Sequence, residues 1–188
     1  MLLQVEKRLW TVDEYHGMAR AGILHENDRL ELIKGEVVAM SPIGVRHAAC
    51  VNRLTSLFAI QFEGKAVLSI QNSVRLDEQS EPVPDVVLFK YREDFYSQQV
   101  ATAADVLLLI EVSDSTLPYD RNVKRPLYAQ ANITEYWLIN LVDNSVEVHR
   151  QPEDGAFTET FIRYRDDEIT AVAFPNVAFQ VTDLLGMA

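Results

Sequence analysis

Two carboxylates stand where the chain otherwise buries hydrocarbon. Glu111 closes the unbroken apolar run Val106-Leu107-Leu108-Leu109-Ile110 and is followed by Val112, Ser113 and a polar turn. Asp85 follows Pro84 and opens Val86-Val87-Leu88-Phe89, a β-branched and aromatic run of the kind that forms a core strand. An ionised carboxylate at the rim of a core costs on the order of several kcal/mol unless it is paired, hydrogen-bonded or bound to a metal. Acids at the ends of two such strands therefore point to a metal site. The alternatives are a structural ion pair with a nearby Arg or Lys for Glu111, and a strand-opening or turn role for Asp85. Cys50 is the single cysteine, which excludes an internal disulfide and a cysteine zinc site, so any metal is held by oxygen.

The elements that must position these acids are readable from periodicity. Thr11-Val12-Asp13-Glu14 has the spacing of a capping box and predicts a helix ending near Gly22. Leu30 to Ile33, then Lys34-Gly35, then Glu36 to Met40 predict a hairpin in which Gly35 supplies a positive φ. From Val45 to Phe62, Val51, Leu54, Leu57 and Phe58 recur at helical spacing, predicting an amphipathic helix that stops before Gly64 and lies across a sheet. Strands are expected at 66–70, 73–76, 85–89 and 106–112, with 77–84 as a surface loop. A helix is expected within 120–131, then a second hairpin, 135–139 with 145–149, turning at Asp143-Asn144, and a β-rich remainder. With no repeat or linker, the expectation is one α/β or α+β domain over 1–188: a mixed central sheet flanked by helices.

His47 precedes Val51 by four residues and shares the inward face of its helix, where it either contacts a phosphate or metal-bound water or rests as a satisfied core histidine. Gln71 is placed to reach the site from its strand. His16, His25 and His149 have no ligand-like spacing and are expected at the surface, and Trp10 and Trp137 are expected to pack.

Composition narrows the function classes. At 188 residues and 48% hydrophobic content, the chain can bury one substantial core. No apolar run reaches the ~18 residues of a membrane helix, and Met1 to Lys7 lacks the order of a signal peptide, so a soluble, cytoplasmic protein is expected. A net charge of -11, from 17 basic and 28 acidic residues, argues against a broad basic nucleic-acid surface while leaving room for a local basic cleft. Asp166-Asp167-Glu168 reads as a solvated turn.

Pro84-Asp85, the strand ending at Glu111, and Ser113 together resemble the PD-(D/E)xK phosphodiesterase superfamily, with its restriction-endonuclease-like fold. Thr11 to Tyr15, Glu31 to Glu36, Ser41-Pro42 before His47, Glu111-Val112-Ser113, Asp120 to Lys124 with Tyr128, and Glu135 to Ile139 extend the likeness. In this order they resemble a large family of bacterial endonuclease-like proteins within that superfamily, of unassigned biological role. The resemblance implies a metal-dependent endonuclease acting on phosphodiester bonds, most simply in DNA, with Glu31 as an additional acid. Hard cations such as Mg²⁺ or Mn²⁺ prefer carboxylate and carbonyl oxygens, so Asp85, Glu111 and the Val112 carbonyl form the expected ligand set. A cation held there acidifies water and offsets charge on the phosphate, while a lysine stabilises the transition state.

One position departs from the superfamily pattern. Strand side chains alternate, so residues 111 and 113 face the same way, and the usual lysine position holds Ser113. The lysine must come from elsewhere, and Lys124 is the candidate, sharing a helical face with Asp120 and Tyr128, the latter expected mainly to pack. Pro126 complicates this, because a helix starting near Arg125 leaves Lys124 on the entering loop. The rival expectation is a nuclease fold that no longer cuts and serves as a binding or assembly module. RNA or a small phosphodiester are alternative substrates, and a homodimer is expected from the need to cut two strands.

Overall fold

The computed structural model describes residues 7–186, so the leader reading at Met1 to Glu6 lies outside the described residues. Helix α1 (Val12–Arg20) opens on a complete capping box: Glu14 N–H donates to Thr11 Oγ1 at 3.2 Å, and Thr11 N–H to Glu14 Oε2 at 3.0 Å. Strands β1 (Leu30–Ile33) and β2 (Glu36–Ala39) form the expected hairpin. Both turn residues, Lys34 at φ 50 and Gly35 at φ 77, are left-handed, as a two-residue turn between twisted strands requires. Glycine is doubly needed at 35, since a Cβ there would lie 2.6 Å from that of Leu9.

The central sheet has six strands in the order β3-β4-β5-β6-β7-β8: Ala66–Ile70, Val86–Lys90, Val106–Ser113, Glu135–Asn140, Ser145–Glu153 and Ala156–Arg163. Only β5 and β6 pair in parallel. Helix α2 (Val45–Phe62) buries Val51, Leu54, Phe58 and Phe62 against Val86, Leu88, Leu108, Ile110, Trp137 and Ile139 on one face. The alternate residues Val87, Phe89, Leu109, Tyr136 and Leu138 meet Leu117 and Tyr128 on the other. Burial on both faces is why the strands read as unbroken apolar runs. A small sheet of β9 (Glu168–Ala171) and β10 (Phe174–Gln180), followed by α5 (Val181–Leu185), packs Phe179, Val181 and Leu184 into the α2 face.

The parallel β5–β6 step requires a crossover, and it carries α3 (Leu117–Tyr119), a wide π-helical turn (Asp120–Lys124) and α4 (Arg125–Gln130) on the face opposite α2. Glu111 and Ser113 are in phase with Leu109, which faces that crossover, so alternation along β5 aims both at it.

Several expectations are corrected. The segment 73–76 makes no strand; Arg75 forms only an isolated bridge to Thr102. The 77–84 loop is exposed only in its first half. Ser80 and Glu81 are buried because residue 81 pairs with Leu32, Leu32 N–H donating to its carbonyl and its own N–H to that of Leu32. His149 is fully buried in β7 and so is not a surface group; His16 is partly exposed, resting against Glu81 at 2.8 Å, and His25 is exposed as expected. Among the described residues no helix is long and apolar enough to cross a membrane.

Candidate active site

Asp85 ends the β4 ladder one residue before the strand begins. Its Oδ2 accepts the Val112 N–H at 2.9 Å, taking the place that a backbone carbonyl of β4 would hold. The same oxygen meets His47 Nε2 at 2.9 Å, and Oδ1 accepts from Gln71 Nε2 at 3.1 Å. Gln71 lies just beyond β3 in a left-handed conformation (φ 51) that also lets its N–H donate to the Asp85 carbonyl. Asp85 N–H in turn donates to Glu111 Oε2 at 3.3 Å, so the two acids share one end of the sheet.

Glu111 is almost fully buried. Its Oε1 accepts from Lys124 Nζ at 3.1 Å and from Tyr128 OH at 2.5 Å. Lys124 Nζ also lies 3.1 Å from Glu31 Oε2, an oxygen that accepts the Val83 N–H at 3.3 Å. Glu31, from β1, is therefore buried at the site. Ser113, in the position usual for the lysine, donates a short hydrogen bond to Asp120 Oδ2, which also accepts from Thr116 at 2.7 Å. Tyr128 packs as expected, its ring against Tyr136, but its hydroxyl is committed to Glu111.

The π turn resolves the difficulty at Pro126. Arg125 N–H reaches back five residues to the Asp120 carbonyl, and this wider turn takes the place of the regular α-turn in which Pro126 would meet the carbonyl of Asn122. The helical path is thus continuous from Leu117 to Gln130, and Lys124 sits on its inner face rather than on a loop.

Electrostatics follow from burial and pairing. Burial pushes the Glu111 carboxyl up to about 8, against the pull of Lys124. Burial alone would lower Lys124, but the Glu111 and Glu31 carboxylates outweigh it, so the ammonium keeps its proton and the ionisation held back is that of Glu111. Asp85 runs the other way: burial raises it, yet the His47 hydrogen bond and charge, with the Val112 N–H, leave it below the usual carboxylate range. His47 is raised despite burial because it faces Asp85. Its Nδ1 is buried and has no partner.

The groups line a cavity of about 490 Å³ that includes Glu31, His47, Asp85, Glu111, Val112, Asp120 and Lys124. The Val112 carbonyl leaves the strand on the same side as its N–H, towards Asp85. Asp85 Oδ1 and Glu111 Oε2 each accept one hydrogen bond and retain a lone pair. That oxygen donor set suits a hard cation. Among the described residues, however, no three His, Cys, Asp or Glu side chains converge as a ready cluster, because Lys124 stands between Glu31 and Glu111.

The family described as Uma2, putative restriction endonuclease, matches residues 12–182. A solved structure described as a putative nuclease belonging to DUF820 from Anabaena variabilis ATCC 29413 is similar at a TM-score of 0.72 and 16% identity, covering 94% of this chain and 97% of that one. That likeness is one of fold. No curated protein matches the chain.

Proposed function

Because the chain belongs to the Uma2 family of putative restriction endonucleases, we propose that it is a metal-dependent endonuclease that hydrolyses phosphodiester bonds in DNA. The observation that carries this reading is the buried Lys124, 3.1 Å from both Glu111 and Glu31, which supplies from the crossover the cation that β5 lacks at Ser113. Asp85, Glu111 and the Val112 carbonyl would hold Mg²⁺ or Mn²⁺. When bound, the cation would supply Lewis acidity, lowering the pKa of water and offsetting charge on the phosphoryl oxygens. Lys124 holds Glu111 and Glu31 in register and presents fixed positive charge to the transition state. His47, with Nε2 2.9 Å from Asp85 Oδ2, orients that carboxylate and stands in the cavity wall where it can meet a phosphate or metal-bound water. The reading includes one domain over the whole chain, a cytoplasmic setting and a homodimer that presents two sites to two strands.

The direct test is plasmid cleavage with added Mg²⁺ or Mn²⁺ by the unaltered protein, Asp85→Ala, Glu111→Ala and Lys124→Met. Cleavage confined to the unaltered protein supports the reading; equal cleavage by all four marks a contaminant. A second reading, an inactive binding module, is favoured by the way Lys124 and Tyr128 occupy Glu111. Calorimetric titration with Mn²⁺ separates the two, since a module without a metal site gives no heat dependent on Asp85 and Glu111.

A further inference from the structure

The acid-lined cavity has a continuation of opposite character. A second cavity shares Arg29, Met40, Ile43 and Val83 with the first, so the two form one groove running from Asp85 towards α1. The first part is walled by Glu31, Asp85, Glu111, Asp114 and Asp120. Among the described residues, the second has no aspartate or glutamate in its wall and carries Arg20, His25 and Arg29, with Tyr15 and Leu24 among its apolar surfaces. In a chain with 28 acidic and 17 basic residues, a wall whose described charged residues are all basic, beside one lined by five carboxylates, is a local reversal of charge.

The cations there are not consumed by the fold. Among the described residues, Arg20 and Arg29 make no side-chain ion pair or hydrogen bond, a state they share with Arg53 and Arg125, whereas Arg8, Arg46, Arg75, Arg92, Arg121 and Arg150 each pair with a carboxylate. Arg29 stands at the junction in a left-handed conformation (φ 47), a backbone state that non-glycine residues rarely adopt. Its carbonyl is fixed there by the Met40 N–H at 2.8 Å. Arg29 lines both cavities, so it faces the reaction centre as well as the extension.

We propose that this extension is a track for the sugar-phosphate backbone of one substrate strand, with Arg29 on the phosphate next to the scissile one and Arg20 on a phosphate further along. The inference rests on the nuclease reading for the position of the scissile phosphate. The chemistry is complementary: acids at the centre meet a cation and one phosphate, and successive phosphates then need fixed positive charge and no carboxylate. A local track of two arginines also reconciles an acidic protein with a polyanionic substrate, because only the groove need be cationic.

The test reads binding apart from cleavage. Anisotropy of a fluorescein-labelled DNA duplex is followed in EDTA over a salt series for the unaltered protein, Arg20→Ala, Arg29→Ala, Arg29→Lys and Lys65→Ala. Lys65 is an exposed cation elsewhere whose Nζ bonds only the Gln61 carbonyl, and it controls for net charge. Each arginine-to-alanine change is expected to lower the slope of log affinity against log salt by about 0.9, one phosphate contact, and Arg29→Lys to restore it. Lys65→Ala leaves it unchanged. Equal slopes in all five proteins overturn the track, as does failure of the unaltered protein to bind duplex. Plasmid cleavage with Mn²⁺ is scored separately: cleavage with unaltered slopes removes the track and keeps the nuclease, whereas altered slopes without cleavage remove the nuclease and keep the track.

Discussion

At the start of β6, Glu135 is fully buried and every donor it meets is protein: Trp137 Nε1 and Arg150 Nε, each at 2.8 Å, and the Val172 N–H. At the end of β5, Glu111 is as deeply buried, yet its lysine is shared with a second carboxylate and the cluster opens on a cavity. The nearby histidines differ in the same way. His149 is sealed between Tyr136, stacked at 5.5 Å, and Phe157, and burial drives it down to about 4, so it is neutral. His47 lines the cavity, faces Asp85 and is raised. Burial of a charged pair therefore does not by itself mark a reactive site. What distinguishes the β5 end is a cation with more than one anion to serve, beside a space a ligand can enter.

The comparison can be broken most sharply with Glu111→Ala, which is expected to lower metal-dependent cleavage by at least about 10³-fold while Glu135→Gln leaves the rate per folded molecule unchanged, measured on plasmid with Mn²⁺. Loss of activity in both would erase the distinction. Conversely, Arg150→Met strands Glu135 as an unpaired buried acid and is expected to cost about 3–5 kcal/mol of stability in urea unfolding, with cleavage by the folded fraction intact.

The sealed histidine gives a pH signature of its own. His149 ordinarily titrates near 6.5 and is held near 4 in the fold, so the unfolded chain binds more protons between those values. Its contribution is whole above pH 6.5 and is lost as pH falls through 4. That is worth no more than about 3 kcal/mol, and His149→Phe should flatten the acid limb of a stability-versus-pH curve. Smallest is Tyr128→Phe, which removes one of the donors to Glu111 Oε1. It should cost about 1 kcal/mol, read as a shift in the urea midpoint with the slope unchanged.

Much of this arrangement was legible in the chain because it follows from periodicity. The helix at 45–62, the hairpin around Gly35 and the strand carrying Glu111 are set by apolar spacing and turn chemistry; the structure has the first two at those residues and carries the strand on to Ser113. Asp85 and Glu111 drew attention because acids beside buried strands are costly, and they are hydrogen-bonded neighbours. The rest depends on tertiary position. Segment 73–76 alternates like a strand but has no long neighbour to pair with. His149 lies in an ordinary β alternation that does not reveal β8 covering it, Thr160 accepting or donating at 3.0 Å. Arg29 is not marked in the chain, because a lone arginine before a hairpin has no motif; its left-handed backbone is the signal, and Asp28-Arg29 gives little hint of it.

The wide turn at Asp120–Lys124 has a consequence for how the chain can change length. It amounts to one additional residue lodged in a helix, and a single-residue deletion there would return Pro126 to a regular α-turn, where its ring meets the carbonyl four residues back. With Tyr128 anchored to Glu111 on the C-terminal side, relief of that clash would fall on the N-terminal side and pull Asp120 from Ser113. The segment thus behaves as a spacer of fixed length, closed to insertion or loss.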